Sequence, residues 1–107
     1  MKISILIPVY NEEKTVNEII KRVNQVKFPF KTEIIVVDDG STDKSLKIIR
    51  RLNGIKICKH SKNMGKGAAI RTALMKVSGD IIVIQDADLE LDPNDILNII
   101  KPIINKN

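Results

Sequence analysis

Four short runs of apolar residues divide the chain, and each is predicted to be a β-strand. The runs at 3–7, 33–37 and 81–84 are rich in isoleucine and valine, which is typical of strands buried on both faces. The run at 55–58 alternates apolar and polar residues, which favours a more exposed strand near a sheet edge. Because proline interrupts strand pairing, we expect the first strand to stop at Pro8.

Apolar residues at helical spacing separate these runs. The first helix is predicted to follow a cap at Asn11 and to extend to about Val26. Ser41 or Thr42 is expected to cap a second helix, and a third helix is expected after the glycine-containing loop at 63–67. Helices of this length between strands match the connections that parallel sheets require.

A fourth helix is predicted to begin at Asp92 and Pro93 and to end or kink at Pro102. Four strands alternating with four helices indicate the α/β class, with right-handed crossovers. We therefore predict a Rossmann-like parallel sheet with helices on both faces and the strand order 3-2-1-4. The whole chain, residues 1–107, is expected to form one domain, since no linker or repeat divides it.

Polar clusters follow three of the predicted strands. Residues 8–12 follow the first strand, Asp38 and Asp39 follow the second, and residues 86–88 follow the fourth. In an open α/β sheet, ligands bind outside the carboxyl ends of the strands, where the direction of winding reverses. The sequence therefore predicts one ligand pocket built from three distant segments.

Asp86 and Asp88 lie one residue apart, directly after the fourth apolar run. Side chains at this spacing can converge on one hard cation, and carboxylate oxygens suit Mg²⁺ or Mn²⁺, which would also accept oxygens from a bound diphosphate. The alternative interpretation is structural: Asp86, Asp88 and Asp92 could serve as loop and helix-capping residues.

Composition excludes several functional classes. Eighteen lysines and arginines against thirteen acidic residues give a net charge of +5, which favours phosphate-bearing ligands or an anionic membrane face. Only 3% of residues are aromatic and no arginine-rich run occurs, so nucleic acid is not an expected partner. Cys58, the single cysteine, excludes an internal disulfide and is read as a small apolar filler. With neither signal peptide nor membrane span, a cytoplasmic location is expected.

The loop Gly65-Lys66-Gly67 has the glycines of a phosphate-binding loop but matches no established nucleotide motif. It is neither G-x-G-x-x-G nor G-x-x-x-x-G-K-[ST], and it follows the third strand, where neither pattern normally lies. A dinucleotide dehydrogenase and a P-loop NTPase are thus disfavoured. A response-regulator receiver is also disfavoured, because its acidic pair follows the first strand, where this chain has Tyr10, Asn11 and Glu12.

Four motifs in order carry a resemblance to a known family. They are PVYNE at 8–12, VDDGSTD at 37–43, NMGKGA at 63–68, and DADL at 86–89 followed by Asp92-Pro93. Together they resemble family 2 glycosyltransferases of the GT-A fold. Within that family the chain is most similar to the polyprenyl-phosphate group, which includes dolichol-phosphate mannosyltransferases and bacterial relatives that use UDP-glucose.

The resemblance implies roles for individual residues. Asp86 and Asp88 would be catalytic, with Asp88 the main ligand of Mg²⁺ or Mn²⁺ and Asp86 assisting. Asp39 and Val37 would contact the base or ribose, and Lys66 would add positive charge nearby. The residues expected to bind the nucleotide sugar are Pro8, Tyr10, Glu12, Val37, Asp39, Lys66, Asp86, Ala87 and Asp88.

The resemblance also implies a reaction. A hexose would pass from a nucleotide-diphospho-sugar of the GDP-mannose or UDP-glucose type to a lipid phosphate, a polyprenyl phosphate, with inversion at the anomeric carbon. The acceptor phosphate oxygen is already anionic and needs no general base. Such an acceptor would place the protein at the cytoplasmic face of a membrane.

Most of these residues also have an ordinary structural interpretation. Pro8 could be only a strand stop, Tyr10 a partly buried aromatic residue, and Glu12 an acid that complements a helix dipole. Lys66 could be a solvated loop lysine. His60 is expected to be a loop histidine, because no second nitrogen or sulfur ligand lies at metal spacing.

The resemblance covers the nucleotide-binding half of the family's fold and ends just after the fourth predicted helix. We expect the 107 residues to be a fragment with weak or no transferase activity of its own. The fourth strand would then have one open edge, through which self-association is expected. The alternative is a catalytically silent module that binds a nucleotide sugar or another protein.

Overall fold

A computed structural model describes residues 1–89 and 92–98. The predicted strands and the first three helices are confirmed, and a helical turn covers residues 95–98. The second helix begins only at Ser45, with Lys44 at the cap position and no side-chain cap bond, so the cap expected at Ser41 or Thr42 is wrong. The remainder of the predicted fourth helix, including Pro102, lies outside the described residues. The elements are β1 (Lys2–Val9), α1 (Val16–Gln25), β2 (Lys31–Asp38), α2 (Ser45–Arg50), β3 (Lys56–Lys59), α3 (Lys66–Leu74) and β4 (Ile81–Ile84).

All four strands are parallel and follow the order β3-β2-β1-β4, as predicted. Ile5 of β1 lies level with Ile34 of β2 on one side and with Val83 of β4 on the other. β1 and β2 are thus the inner strands, and at eight residues each they are twice as long as β3 and β4.

Helices cover both faces of the sheet, as predicted. Alternate β1 residues such as Ile5 and Ile7 pack with Ile19 of α1 and Ile49 of α2. On the other face, Leu6 packs with residues of β2 and α3, including two alanines, Ala69 and Ala73. The small alanine side chains allow α3 to lie close to the sheet, which brings the amino end of α3 near the strand ends.

β1 continues through Pro8 to Val9, one residue beyond the predicted stop, because Pro8 interrupts pairing on one side only. The Gln85 N–H donates to the Leu6 carbonyl at 2.9 Å. In a parallel ladder the next bond to β4 would need an N–H at Pro8, which proline lacks. On the β2 side, Pro8 remains level with Val37. Pro8 therefore ends the β1–β4 ladder and lets the chain after Gln85 diverge.

β4 differs from the prediction of a strand buried on both faces. Its side chains alternate in burial, and Ile82 and Ile84 are 45% and 44% exposed. Among the described residues, β4 pairs only with β1, so it forms one edge of the sheet. The apolar run correctly identified a strand but did not reveal that one face would be open here.

Asn11 does not cap α1 as predicted. It has a positive φ of 52°, and α1 begins only at Val16. The Asn11 Oδ1 instead accepts the Thr42 N–H at 2.8 Å, and the Ser41 Oγ accepts the Asn11 N–H at 2.9 Å. These reciprocal bonds join the loop after β1 to the loop after β2, and so hold together two of the predicted ligand-binding segments.

A buried carboxylate, Glu33, joins three elements at the amino end of the sheet. Its Oε2 accepts the Ser78 N–H at 2.6 Å and the Ser4 hydroxyl at 2.5 Å, and Lys56 Nζ lies 2.7 Å from Oε1. Burial alone would raise the pKa of Glu33, but the hydrogen bonds from Lys56, Ser4 and Ser78 outweigh it and hold the pKa far below its ordinary value. Glu33 is therefore ionised, and it joins β2 to β1, to β3 and to the segment after α3.

Candidate functional site

A pocket of about 370 Å³ opens at the carboxyl end of the sheet. The pocket lies where Pro8 ends the β1–β4 ladder, and the two segments that follow β1 and β4 diverge around it. Residues after β1, β2, β3 and β4 all contribute to its walls. The lining residues are Pro8, Val9, Tyr10, Glu12, Asp39, Asn63, Gly65, Lys66, Ala69, Asp86, Ala87 and Asp88.

The structure brings together eight of the nine residues expected to bind the nucleotide sugar. Tyr10, Asp39 and Asp88, which are far apart in the sequence, line the same cavity. Val37 is the exception: it is fully buried and packs with Leu6 and Ala69. Its expected contact with base or ribose therefore stays a prediction. The Val37 side chain packs between the sheet and α3.

Asp39 is the best-satisfied acid of the pocket. Its Oδ1 accepts the Met64 N–H at 2.9 Å and its Oδ2 accepts the Gly65 N–H at 2.9 Å. Burial alone would raise the pKa of Asp39, but hydrogen bonds from His60 and these two N–H groups outweigh it and lower the pKa. Asp39 therefore fixes the loop before α3, in addition to lining the pocket.

His60 connects Asp39 to α3. Its Nδ1 lies 2.7 Å from Asp39 Oδ1, and its Nε2 lies 2.7 Å from the Thr72 hydroxyl. Since Asp39 is ionised, Nδ1 carries the proton, and in the neutral ring Nε2 accepts from Thr72. Sequence analysis missed this role. The signal was the position of His60 directly after β3, where its N–H bonds to the Asp38 carbonyl at 2.8 Å.

Asp38, the neighbour of Asp39, braces the loop after β2. It is 2% exposed, and its Oδ2 accepts the Ser41 N–H at 3.1 Å. Asp38 is not among the residues that line the pocket. Asp38 thus holds the loop and Asp39 lines the pocket, because adjacent residues of an extended chain point to opposite faces.

Lys66 and Asp86 join the loop before α3 to the loop after β4. Their Nζ and Oδ1 atoms lie 2.5 Å apart, with the side chains 57% and 34% exposed. Lys66 is the first residue of α3, where the helix dipole disfavours a cation, so Asp86 compensates for its position. The pair places one positive and one negative group at the same wall of the pocket.

Thr15 fixes the segment between the two acids, and sequence analysis missed it. The Thr15 hydroxyl donates to the Ala87 carbonyl at 2.6 Å, and Glu12 Oε2 lies 3.1 Å from the Thr15 hydroxyl oxygen. Ala87 is 3% exposed, whereas Asp88 beside it is exposed. The buried alanine therefore anchors the loop while Asp88 faces solvent.

The acids at this pocket suit a hard divalent cation that arrives with a ligand. Asp86 and Asp88 supply carboxylate oxygens, the donor type that Mg²⁺ and Mn²⁺ prefer. Within residues 1–89 and 92–98, no group of three or more histidine, cysteine or acidic side chains is arranged to hold a metal alone. A metal here would need further oxygens, which is how Mg²⁺ commonly binds between one or two carboxylates and a phosphate.

Residues 4–107 match the family described as glycosyl transferase family 2. The chain belongs to glycosyl transferase family 2. The family and enzyme class predicted from the four motifs are therefore confirmed. The match covers the four segments that form the pocket as well as the strands that hold them.

Individual relatives support the same grouping. Dolichol-phosphate mannosyltransferase of Pyrococcus furiosus is 33% identical over 98% of this chain and 31% of its own length. S. aureus TarS in complex with UDP-GlcNAc has a TM-score of 0.83 and 30% identity over 99% of this chain and 32% of its own. A mannosyltransferase of Pyrobaculum calidifontis, in complex with GDP-Man and Mn²⁺, has a TM-score of 0.80 and 30% identity over 89% and 30%.

The chain spans about a third of the length of these relatives. The expected GT-A fold is confirmed, because the structural neighbours are GT-A glycosyltransferases. In residues 1–89 and 92–98, no helix combines the length and apolar character needed to cross a bilayer. The comparisons give no support to the expected self-association through β4.

Proposed function

We propose that this domain binds a nucleoside-diphosphate sugar in the pocket at the carboxyl end of the sheet and serves a hexosyltransferase that acts on a polyprenyl phosphate. The observation that carries the proposal is the meeting of Tyr10, Asp39, Lys66, Asp86 and Asp88 around one cavity. Relatives with similar sequences are named for lipid-phosphate acceptors, and similar structures contain UDP-GlcNAc or GDP-Man.

The nucleoside would occupy the part of the pocket between Tyr10 and Asp39. The Tyr10 ring is 44% exposed and offers an apolar face against which a base can pack. Asp39 is already held by His60 and the loop before α3, so its position is fixed before a ligand arrives. Such preorganisation reduces the conformational entropy lost on binding.

The diphosphate would lie against Lys66, Asp86 and Asp88. Lys66 and Asp86 form an ion pair, so an incoming phosphate would compete with Asp86 for the lysine ammonium group. Asp88 and Asp86 would hold a divalent cation, either Mg²⁺ or Mn²⁺. When bound, that cation neutralises the negative charge that grows on the leaving diphosphate. Lys66 adds a second positive charge to the same oxygens.

The acceptor would approach the sugar from the side opposite the diphosphate. An ionised lipid phosphate is itself the nucleophile, so no side chain has to remove a proton. Its oxygen forms a bond to the anomeric carbon as the bond to the diphosphate breaks, and the bonding electrons leave with the nucleoside diphosphate. This direct displacement inverts the configuration at that carbon. The reaction would take place at a membrane surface on its cytoplasmic side.

Isothermal calorimetry with UDP, GDP and their sugars, with and without Mn²⁺, tests the binding step. We expect metal-dependent binding of one nucleotide, weakened at least about tenfold by Asp88→Asn. Asp95→Asn is the matched control, since it removes the same charge from an exposed residue that does not line the pocket. Equal effects of the two substitutions, or no nucleotide binding, would contradict the proposal.

Product analysis separates transfer from binding. The 107-residue chain would be incubated with the sugar nucleotide that binds, Mn²⁺ and a polyprenyl phosphate, and the lipid fraction analysed by mass spectrometry. A glycosylated lipid phosphate supports transfer by this chain alone. Binding without product instead favours the nucleotide-sugar-binding module.

A further inference from the structure

Charge is distributed very unevenly along this chain. Ten of the eighteen lysines and arginines lie within residues 44–79, and no aspartate or glutamate lies there. This segment therefore carries +10, while the remaining eight basic and thirteen acidic residues leave the rest of the chain at −5. The modest net charge of +5 conceals this separation.

The fold concentrates the basic segment on one side of the molecule. The segment comprises α2, β3 and α3, and β3 is the outermost strand of the sheet on that side. α2 connects β2 to β3 and packs on β2, the strand next to β3. We define the basic edge as six exposed residues of α2, β3 and the adjoining loops: Lys47, Arg50, Arg51, Lys56, Lys59 and Lys62.

Most of these charges are not used within the protein. In the part of the chain that the structure describes, Lys56 is the one member of the basic edge that forms a salt bridge, to Glu33. The other five are exposed and project into solvent. Like charges at this density repel each other, so their concentration lowers the stability of the isolated domain slightly and favours an anionic partner.

Apolar side chains are exposed beside the basic ones. Ile57, between Lys56 and Lys59 on the edge strand, is 38% exposed, and Met75, beside Lys76, is 84% exposed. Lysine and arginine next to exposed aliphatic groups are typical of surfaces that rest in the headgroup region of a bilayer. Residues 44–79 contain no aromatic residue, so this surface lacks the stacking groups of nucleic-acid-binding proteins.

We infer that the basic edge is a docking surface for anionic lipid membranes. Each lysine or arginine near a negatively charged leaflet contributes favourably, and clusters of four to eight such residues are sufficient for peripheral binding. The inference concerns membrane binding and does not depend on the transferase proposal. If both are correct, docking through β3 holds the nucleotide pocket near the leaflet that contains a lipid-phosphate acceptor.

Vesicle co-sedimentation of the 107-residue chain tests the inference. We expect binding to vesicles that contain phosphatidylglycerol, no binding to vesicles of phosphatidylcholine alone, and release at high salt. The variant Lys47→Glu/Arg51→Glu/Lys59→Glu should bind at least about 100-fold more weakly. The control Lys14→Glu/Lys27→Glu/Lys31→Glu has the same net charge, with exposed lysines reversed elsewhere, and should retain most of the binding.

Equal losses in the two triple variants would overturn the inference, because net charge alone would then explain binding. Failure of the unaltered chain to bind anionic vesicles would also overturn it, as would tighter binding to single-stranded RNA through the same residues. Nucleotide calorimetry on both variants separates this result from the transferase proposal. If the triple variant of the basic edge does not fold, chemical acetylation of the unaltered chain replaces it as the test. Anionic vesicles should protect Lys47 and Lys59 from acetylation but leave Lys14 and Lys27 reactive.

Discussion

The two ends of the sheet use acidic residues in different ways. At the amino end, Glu33 is 9% exposed, and Lys56, Ser4 and Ser78 surround its carboxylate. At the carboxyl end, Asp86 is one-third exposed, and Asp88 faces solvent beside an open pocket. The two ends therefore differ in exposure: the buried Glu33 holds the fold, whereas Asp86, which pairs with Lys66, and Asp88 are the accessible acids proposed to meet a ligand.

Asp39 lies between these extremes. It lines the pocket, yet His60 and two backbone N–H groups already occupy much of its carboxylate. It combines the structural role of Glu33 with the position of Asp86. The predictions below test whether this division between the two ends is real, beginning with the largest expected effect.

Glu33→Ala should lower the free energy of unfolding by about 3 kcal/mol, because it removes a buried carboxylate from its lysine and serine partners. Nucleotide affinity of the folded variant should not change, since Glu33 is at the opposite end of the sheet from the pocket. Urea denaturation measures the first quantity and calorimetry the second. A stable Glu33→Ala protein with weakened nucleotide binding would reverse the assignment of the two ends.

Gly40→Ala should lower stability by about 2 kcal/mol more than Gly54→Ala. Both glycines have positive φ, 71° and 76°, so the backbone strain of alanine is matched. A Cβ at Gly40 would lie 2.2 Å from the Lys62 carbonyl carbon, whereas a Cβ at Gly54 would meet nothing within 4 Å. Chemical denaturation of the two variants measures the difference, and similar losses would show that the contact between these loops is not tight.

Acid should remove the stabilisation that Glu33 provides. Its pKa is lower in the folded protein than in the unfolded chain, so its contribution is complete above the unfolded value of about 4.3 and declines as pH falls below it. Urea denaturation should be measured from pH 6 down to the pH at which the protein unfolds without urea. The free energy of unfolding should decline more steeply with falling pH for the unaltered protein than for Glu33→Gln. Parallel declines would mean that other carboxylates, such as Asp39, determine acid stability.

His60→Gln should cost about 1 kcal/mol of stability through its hydrogen bonds to Asp39 and Thr72. It should also weaken nucleotide binding a few-fold, because Asp39 and the loop before α3 lose a support. Thr72→Val is the control, since it removes only the second bond. If His60→Gln lowers stability but leaves nucleotide affinity unchanged, the histidine stabilises the fold and has no role in nucleotide binding.

Tyr10→Ala should change stability by no more than about 0.5 kcal/mol, because the ring is 44% exposed. Nucleotide affinity should nevertheless fall several-fold, with Tyr10→Phe nearly unchanged if the ring packs against a base. Thermal unfolding and calorimetry together give both values. An equal loss of affinity in Tyr10→Phe would instead assign the contact to the hydroxyl group.

Sequence patterns were sufficient for the fold and for most of the pocket. Runs rich in isoleucine and valine marked β1, β2 and β4, and an alternating run marked β3. The position of polar clusters after β1, β2 and β4 located the cavity. Both arise from local chemistry: the period of burial identifies a strand, and parallel strands end at a common edge. The motif resemblance added the family and the prediction that Asp88 is the main metal ligand.

The remaining features depend on distances between segments that are remote in the sequence. Nothing local to Glu33 indicates that Ser4, Lys56 and Ser78 surround it, and the position of His60 directly after β3 does not by itself identify Asp39 and Thr72 as its partners. The motif could not show that Val37 would be fully buried and absent from the pocket lining, because both faces of β2 are covered by helices. Asn11 was misassigned because its side chain bonds to the loop after β2 and not to the helix that follows it.

The most direct test of the central claim is paramagnetic NMR of the ¹⁵N-labelled chain with Mn²⁺ and the nucleotide that binds. Broadening by Mn²⁺ falls steeply with distance, so it reports which residues surround the bound ion. We predict that amide signals near Tyr10, Gly65, Asp86 and Asp88 broaden only when nucleotide is present, while those of Glu33 and Ser78 remain sharp. Broadening at the amino end of the sheet, or broadening that ignores the nucleotide, would contradict the account.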